Sequence, residues 1–239
     1  PAARGTGTER SQAHGDGPHP VAVLLHGGFW RARFDRSTLA ALAVDLALRG
    51  WASWNVEYRR AGVGGGPLEA LADVRAALAR LPHLGAPLAH DRVVLIGHSA
   101  GGQLALCLAG EPLGRAVVSL AGVCDLGAAA REAIGEDATV QFMGGSPEQV
   151  PDLYAVADPV RRAPTGAAVL LAHGDRDQRV PLEQSRSYLR AALAGGDRCE
   201  LLELPGADHF DLIDPRTEAW GRIATQLAPL ALRGAATVA

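Results

Sequence analysis

Apolar residues recur along the chain in two alternating patterns, short continuous runs and longer segments with helical spacing. The short runs predict buried strands at 21–28, 51–58, 92–97, 115–122, 167–174 and 199–206. The longer segments predict helices at 34–50, 66–82, 99–110, 182–194 and 215–232. Strands without polar positions need cover on both faces. The alternation therefore predicts an α/β fold with a mostly parallel sheet of about six to eight strands and helices on both sides.

Two segments depart from this alternation. Residues 1–20 are polar and glycine-rich and lack the apolar stretch of a signal peptide, so we expect a flexible tail with the opening strands of the fold absent or short. Residues 123–165 are polar and contain several glycines and prolines between two predicted strands. A connection of that length is usually functional, so we predict a small lid-like insertion within one domain spanning 21–239.

Composition narrows the possible functions. The net charge of −3 offers no basic surface for nucleic acid, and no run of about 18 apolar residues is present to cross a membrane. The three cysteines are too scattered for a disulfide framework or a zinc site, so we expect a cytoplasmic protein without metal or cofactor. All 23 basic residues are arginines, which excludes lysine-dependent chemistry, and the Ala- and Arg-rich composition suggests a bacterial source.

A serine lies at the junction of a predicted strand and a predicted helix. The sequence GHSAG at 97–101 fits the pattern G-x-S-x-G, in which a sharp turn lifts the serine hydroxyl out of the sheet. Gly97 and Gly101 meet the requirement for residues without side chains at such a turn. We therefore predict Ser99 as a catalytic nucleophile; the alternative is a glycine-rich turn with a capping serine.

A nucleophilic serine needs backbone donors for the oxyanion that forms during the reaction. The sequence HGGFW at 26–30 follows the first predicted strand, at the same edge of the sheet as Ser99. We assign the N–H groups of Gly28, Phe29 and Ala100 as donors, with Gly27 as a substitute. The alternative is a plain strand-to-helix turn.

The general base and its acid partner are expected on the last two strand-end loops. His209 follows the last strand, where the order serine, aspartate, histidine places the base. Asp177 and Asp175 both lie on the preceding loop, and we favour Asp177 because the chain needs room to turn before the carboxylate faces the histidine. We expect Asp208 and Asp211 to shape the histidine loop rather than to bind a metal.

Aromatic and apolar side chains near these motifs are candidates for substrate binding. Trp30 follows the glycine loop and Phe210 follows His209, whereas Phe142, Met143 and Tyr154 stand out in the otherwise polar insertion. The alternative is that the insertion residues only anchor it to the core. The expected partner is a small ester or amide molecule, and a homodimer is left open.

In this combination the motifs resemble the α/β-hydrolase superfamily over nearly the whole chain. More narrowly, HGGFW, NVEYRR, GHSAGG, HGDRDQRVP and DHFDLIDP resemble the kynurenine formamidase (arylformamidase) branch and related esterases. The resemblance implies a cofactor-free serine hydrolase that acts on small esters or aryl formamides, with Ser99, Asp177 and His209 as its triad. These residues contain no propeller of the kind that gives prolyl oligopeptidases their specificity, so we do not expect peptidase activity. A short-chain carboxylesterase and a non-catalytic binding protein are the competing predictions.

Overall fold

A seven-stranded sheet forms the centre of the computed structural model, which describes residues 9–11, 16–85 and 87–235. The strands are β1 (Glu9–Ser11), β2 (His19–Leu25), β3 (Ala52–Val56), β4 (Leu88–His98), β5 (Ala116–Leu120), β6 (Ala168–Gly174) and β7 (Arg198–Leu204). Their order across the sheet is β1-β3-β2-β4-β5-β6-β7. All neighbouring pairs from β3 to β7 are parallel, which confirms the predicted architecture.

The first strand is the part of the sheet that the sequence did not predict. β1 pairs antiparallel with β3, with Arg10 opposite Trp54, and β2 already begins at His19. Part of the predicted tail at 1–20 is therefore sheet, whereas 1–8 and 12–15 lie outside the described residues. A strand of three residues, Glu-Arg-Ser, is too short and too polar to show an alternating apolar pattern.

Helices cover both faces of the sheet. The longer ones are α1 (Ala40–Leu48), α2 (Pro67–Arg80), α3 (Ala100–Cys107), α8 (Glu183–Ala194) and α9 (Glu218–Ala235). Along β2 the side chains alternate, so that Ala22 and Leu24 belong to the apolar cluster that includes α1 and α9, while Val23 and Leu25 belong to the cluster on the other face that includes α2, α3 and α8. Burial on both faces explains why the strands are continuous apolar runs. No helix in the described ranges is long and apolar enough to span a bilayer.

The insertion between β5 and β6 is helical and well packed. Its helices are α4 (Leu126–Arg131), α5 (Ala138–Met143), α6 (Pro151–Ala157) and α7 (Pro159–Arg162). At its base, Asp158 is buried and accepts the backbone N–H groups of Leu126 (2.9 Å) and Gly127 (3.1 Å) at the start of α4. Burial raises the pKa of Asp158 to about 6, because these bonds only partly offset the loss of water.

Candidate active site

Ser99 lies on a strained turn between β4 and α3. Its φ of 54° and ψ of −117° are rare for a residue with a side chain, and its N–H donates to the carbonyl of Leu120 at 2.8 Å. A Cβ at Gly97 would overlap the carbonyl of Gly101, and a Cβ at Gly101 would overlap that of Leu25. The two glycines are thus required by the close approach of α3 to the sheet, as the motif predicted.

The structure brings His209 against Asp177. The ring Nδ1 of His209 lies 2.6 Å from Oδ2 of Asp177, and His209 is only 5% exposed. The other carboxylate oxygen of Asp177 accepts the N–H groups of Arg179 at 2.7 Å and Val180 at 2.9 Å, which fixes its orientation. Asp175 instead accepts the N–H of Gly206 at 2.7 Å and closes a turn. Of the two candidate acids, Asp177 is therefore the one that contacts the histidine.

A second histidine, for which the sequence pattern predicted no role, also contacts Asp177. His173, at the end of β6, is fully buried, and its Nε2 lies 3.3 Å from Oδ2 of Asp177 and 2.9 Å from the carbonyl of Val180. Both neighbours only accept hydrogen bonds, so Nε2 carries a proton. Nδ1 lies 2.7 Å from Oγ of Ser185. The only sequence signal was the position of His173, four residues before the acid in HGDRDQ.

Hydrogen bonds from both histidines determine the charge state of Asp177. Burial alone would raise the pKa of this carboxyl. The bonds from His173, His209 and the N–H of Val180 outweigh burial and hold the pKa of Asp177 well below its usual value. Asp177 is therefore ionised at neutral pH, as a residue that stabilises a histidine cation must be.

His98 packs on the other side of His209. The two ring centroids are 4.6 Å apart, and the Nε2–H of His98 donates to the backbone carbonyl of His209 at 3.1 Å. Burial, together with repulsion from the His209 cation, lowers the pKa of His98 to about 3. His98 is consequently neutral at pH 7 and fixes the backbone of the histidine loop without adding a positive charge beside His209.

The loop predicted to hold the oxyanion donors is fixed by His26. Its Nδ1–H donates to the carbonyl of Gly27 at 2.8 Å, which directs the N–H of the same peptide, that of Gly28, away from His26. Nε2 of His26 lies 2.9 Å from Oε1 of Glu57, and the ring stacks on Tyr58 with centroids 4.4 Å apart. Burial opposes ionisation of Glu57, but the bonds from His26 and the backbone hold its pKa below the usual value.

A cavity of about 640 Å³ joins these parts. Ser99, His209, Gly28 and Phe29 all line it. Ala100 lies beneath Ser99 as the first residue of α3 and is fully buried. Ser99, His209 and two of the three predicted donor residues therefore surround one space that is large enough for a small organic molecule, whereas Asp177 and Ala100 lie behind its wall.

Of the five predicted substrate-binding side chains, only Phe210 lines this cavity, where it is 54% exposed. Trp30 is fully buried, stacks on Phe142 with centroids 4.5 Å apart and donates from Nε1 to Gln103 at 3.1 Å. Met143 and Tyr154 are also in the core, and the hydroxyl of Tyr154 donates to the carbonyl of Gly145 at 3.2 Å. This corrects the prediction for these four residues, whose side chains anchor the insertion to the core.

The insertion reaches the cavity through the turn after α4. Ala133, Gly135 and Glu136 line the cavity wall. Arg31 donates from Nη2 to the carbonyl of Gly135 at 2.6 Å and pairs with Glu136 at 3.2 Å. The ring of Phe29 occupies the space of a Cβ at Gly135, 2.5 Å from its built position. The turn is thus fitted directly against the loop that carries the predicted oxyanion donors.

The acidic residues around His209 form the turn rather than a ligand set. Asp208 accepts the N–H of Phe210 at 2.7 Å, Asp211 accepts that of Asp208 at 2.8 Å, and Asp214 pairs with Arg216 at 2.6 Å. Within the described ranges, no three His, Cys, Asp or Glu side chains are grouped so as to hold a metal ion.

Comparison with known families gives a match over most of the chain. The model of the prolyl oligopeptidase family matches residues 41–228, well over half of the chain. The chain belongs to the prolyl oligopeptidase family. The matched residues of this family member include Ser99, Asp177 and His209. The match does not test the narrower resemblance to kynurenine formamidases, which stays a prediction.

One relative of this family member is named as an esterase. Esterase LipC of Mycobacterium tuberculosis is 28% identical over 221 residues, which cover 82% of this chain and 54% of the relative. The chain thus spans about half the length of that curated relative.

Solved structures show the same fold. A thermophilic esterase of Thermogutta terrifontis superposes with a TM-score of 0.72 at 22% identity, over 91% of this chain and 84% of the other. A bifunctional GH43-CE protein of Bacteroides eggerthii superposes with a TM-score of 0.79 at 20% identity. The superposition covers 94% of this chain and 33% of the other. Likeness at these identities establishes the α/β-hydrolase fold.

Proposed function

We propose that this protein is a serine hydrolase that cleaves small carboxylic esters through an acyl-enzyme on Ser99. The observation that carries the proposal is one cavity lined by Ser99 on its strained turn and by His209, whose Nδ1 is bonded to Asp177. Esterases among the relatives support the same reaction class.

Acylation follows from the positions of these groups. Oγ of Ser99 attacks the ester carbonyl while Nε2 of His209 accepts its proton, because Nδ1 is already bonded to Asp177. The ionised Asp177 stabilises the imidazolium that forms. The carbonyl oxygen becomes an oxyanion near the N–H groups of Gly28, Phe29 and Ala100, and each such donor lowers the barrier by roughly 3–4 kcal/mol in other serine hydrolases. His209 then protonates the departing alcohol.

Deacylation repeats these steps with water as the nucleophile. Nε2 of His209 removes a proton from water as the water oxygen attacks the acyl carbonyl. The C–O bond to Ser99 breaks, and His209 returns the proton to Oγ. The enzyme is restored and the carboxylic acid leaves, so the cycle needs no metal, oxidant or cofactor.

Aryl formamides are a second candidate substrate class. Three phenylalanine side chains, Phe29, Phe34 and Phe210, line the cavity and can pack against an aromatic leaving group. The resemblance of the HGGFW motif to arylformamidases points to the same class. Both reactions use the same acyl-enzyme, so substrate preference alone distinguishes them.

The test is covalent labelling of Ser99 together with a comparison of substrates. A p-nitrophenyl phosphate triester such as paraoxon should phosphorylate Ser99, as found by peptide mass spectrometry, and p-nitrophenyl acetate should give a burst of nitrophenol. Both signals should disappear in Ser99→Ala. Labelling or turnover that survives in Ser99→Ala would exclude the proposed nucleophile, and absence of both in the wild type would favour a binding protein.

Specificity constants then rank the reaction classes. We expect kcat/KM to be highest for p-nitrophenyl acetate, lower for formanilide and lowest for a prolyl p-nitroanilide. A higher value for formanilide would establish the formamidase alternative, and a higher value for the prolyl anilide would establish a peptidase.

A further inference from the structure

Positive charge predominates on the wall of the active-site cavity. Arg31, Arg33 and Arg179 line the cavity, whereas Glu136 is its only carboxylate among the described residues. Asp177 does not line the cavity, because its carboxylate is fully buried and bonded to His209. The whole chain carries a net charge of −3, so this arginine cluster, Arg31, Arg33 and Arg179, differs in sign from the protein as a whole.

Arg33 is held close to the predicted oxyanion donors. Its guanidinium lies 4.9 Å from the centroid of the Phe34 ring. The side chain of Phe34 in turn occupies the space where a Cβ at Gly28 would lie. This stacking places the positive charge of Arg33 one side chain away from Gly28.

Arg179 reaches the same cavity from the opposite loop. Its N–H donates to Oδ1 of Asp177 at 2.7 Å, so the backbone at Arg179 is fixed by the residue that orients His209. The exposed side chain lines the cavity. The cluster therefore borders both ends of the predicted reaction centre.

Carboxylates of the protein neutralise only part of this charge. Arg31 pairs with Glu136 at 3.2 Å, and the Glu136 side chain is 89% exposed. Neither Arg33 nor Arg179 lies within 4.0 Å of a carboxylate oxygen in the described ranges. Two guanidinium groups thus remain with their charge available to a ligand.

We propose that the cavity selects esters that carry a carboxylate, with the arginine cluster as the anion-binding subsite. This inference rests on the proposed function. Planar guanidinium groups bind carboxylates with paired hydrogen bonds, and a cleft lined by one sign of charge also concentrates substrates of the other sign. The carboxylate belongs to the acyl part or to the alcohol part of the ester, and each alternative has its own substrate pair below.

Two substrate pairs that differ in one charge test the proposal. Mono(4-nitrophenyl) adipate and its methyl ester differ in the acyl part, and 3-acetoxybenzoate and its methyl ester differ in the leaving group. The readout is the ratio of kcat/KM for the charged ester to that for the neutral ester. In the wild type we expect a ratio of about ten for at least one pair, falling as NaCl rises from 50 to 500 mM because salt screens the attraction.

Variants separate charge from packing. Arg33→Gln and Arg179→Gln should each lower the ratio about threefold, as loss of one partly exposed ionic contact does. Arg33→Lys and Arg179→Lys keep the charge and should keep most of the preference. Arg80→Gln, an exposed arginine at the end of α2 that does not line the cavity, is the matched control and should leave the ratio at its wild-type value. Ratios at or below one for both pairs, or ratios that neither glutamine variant lowers, would overturn the proposal.

Binding without turnover keeps this inference distinct from the proposed function. Ser99→Ala cannot form the acyl-enzyme, so titration calorimetry with mono(4-nitrophenyl) adipate and its methyl ester measures recognition alone. Tighter binding of the charged ester supports the anion subsite even if the wild type hydrolyses neither compound. The same titration with 3-acetoxybenzoate and its methyl ester covers a carboxylate on the leaving group, and equal or weaker binding of the charged ester in both pairs contradicts the inference.

Discussion

Two regions of the protein surround the cavity, the loops at the ends of the strands and the insertion between β5 and β6, and they contribute different side chains. Loops at the carboxyl ends of parallel strands supply the proposed catalytic residues Ser99 and His209, whereas the insertion supplies one turn at 133–136. The aromatic side chains of the insertion, Phe142 and Tyr154, face the core instead. The sheet therefore positions the chemistry, and the insertion shapes the wall and packs against what lies beneath.

The largest effects should come from the strand-end loops. Ser99→Ala and His209→Ala should each lower kcat by about four to six orders of magnitude, and the double variant should be little worse than either, because the two residues act as a unit. Asp177→Asn should cost about 10⁴-fold in kcat. Asp175→Asn is the matched control, and a greater loss there than in Asp177→Asn would reverse the assignment of the acid.

Variants of the buried His173 show whether the position of Asp177 depends on the hydrogen bond that His173 donates to it. His173→Asn should keep a polar group near Ser185 but lose the donor to Asp177, and we expect kcat to fall about ten- to hundredfold with little change in KM. His173→Gln places an N–H near the position of Nε2 and should recover part of kcat. Equal losses of kcat in both variants, matched by equal losses of stability, would indicate packing alone.

Two glycines of the insertion, both with positive φ, form a matched pair. Gly135→Ala would place a methyl group against the ring of Phe29, whereas Gly144→Ala would meet no atom within 4 Å. Both substitutions carry the same kind of backbone strain, because a residue with a side chain costs about 1–2 kcal/mol in stability at such a φ. Only Gly135→Ala should also lower kcat/KM, by about tenfold, through displacement of the oxyanion loop. Similar activity in the two variants would show that the contact between Phe29 and Gly135 does not affect catalysis.

A smaller effect should separate packing from substrate contact. Tyr154→Phe removes the hydrogen bond to Gly145 and should cost about 1 kcal/mol in the free energy of unfolding, without changing the ranking of leaving groups. Phe210→Ala should show the reverse, an altered ranking at nearly unchanged stability, because its ring is half exposed in the cavity wall. Urea unfolding and a series of aryl acetates measure the two properties.

The most subtle contrast lies in the pH dependence of stability. The pKa of Asp177 is lowered by folding, so its contribution is complete above the unfolded pKa near 3.9 and is lost as pH falls through the folded value. The pKa of Asp158 is raised to about 6, so its contribution is complete below about pH 4 and is lost as pH rises through 6.

Asparagine variants of Asp158 and Asp177 test these opposite pH dependences of stability. The destabilisation by Asp158→Asn should grow as pH falls from 7 to 4, whereas that by Asp177→Asn should shrink below pH 4. Urea unfolding of the wild type and both variants, from pH 7 to below pH 4, measures each difference. Parallel curves for the two variants would contradict the assigned directions.

The same contrast explains what could be predicted from sequence. A strand-end residue is located by local signals, since apolar runs give the strands and parallel strands bring Ser99, Asp177 and His209 to one edge. The stacking of Phe142 on Trp30 joins residues more than a hundred positions apart, and no local pattern reports which way such a ring turns. His173 was missed for a related reason, because a histidine that ends an apolar strand has the same pattern whether it supports the acid or only fills the core.

The contact between Phe29 and Gly135 has a consequence for engineering. Exchange of the insertion for that of a relative is an obvious way to change specificity, but the turn at 133–136 is no independent cassette. Position 135 has to lack a side chain, and its carbonyl has to accept from Arg31, for the neighbouring loop to keep its shape. A graft that ignores these two conditions would alter the loop that carries the predicted oxyanion donors together with the pocket, so residues 29, 31 and 135 should be transferred or retained as a set.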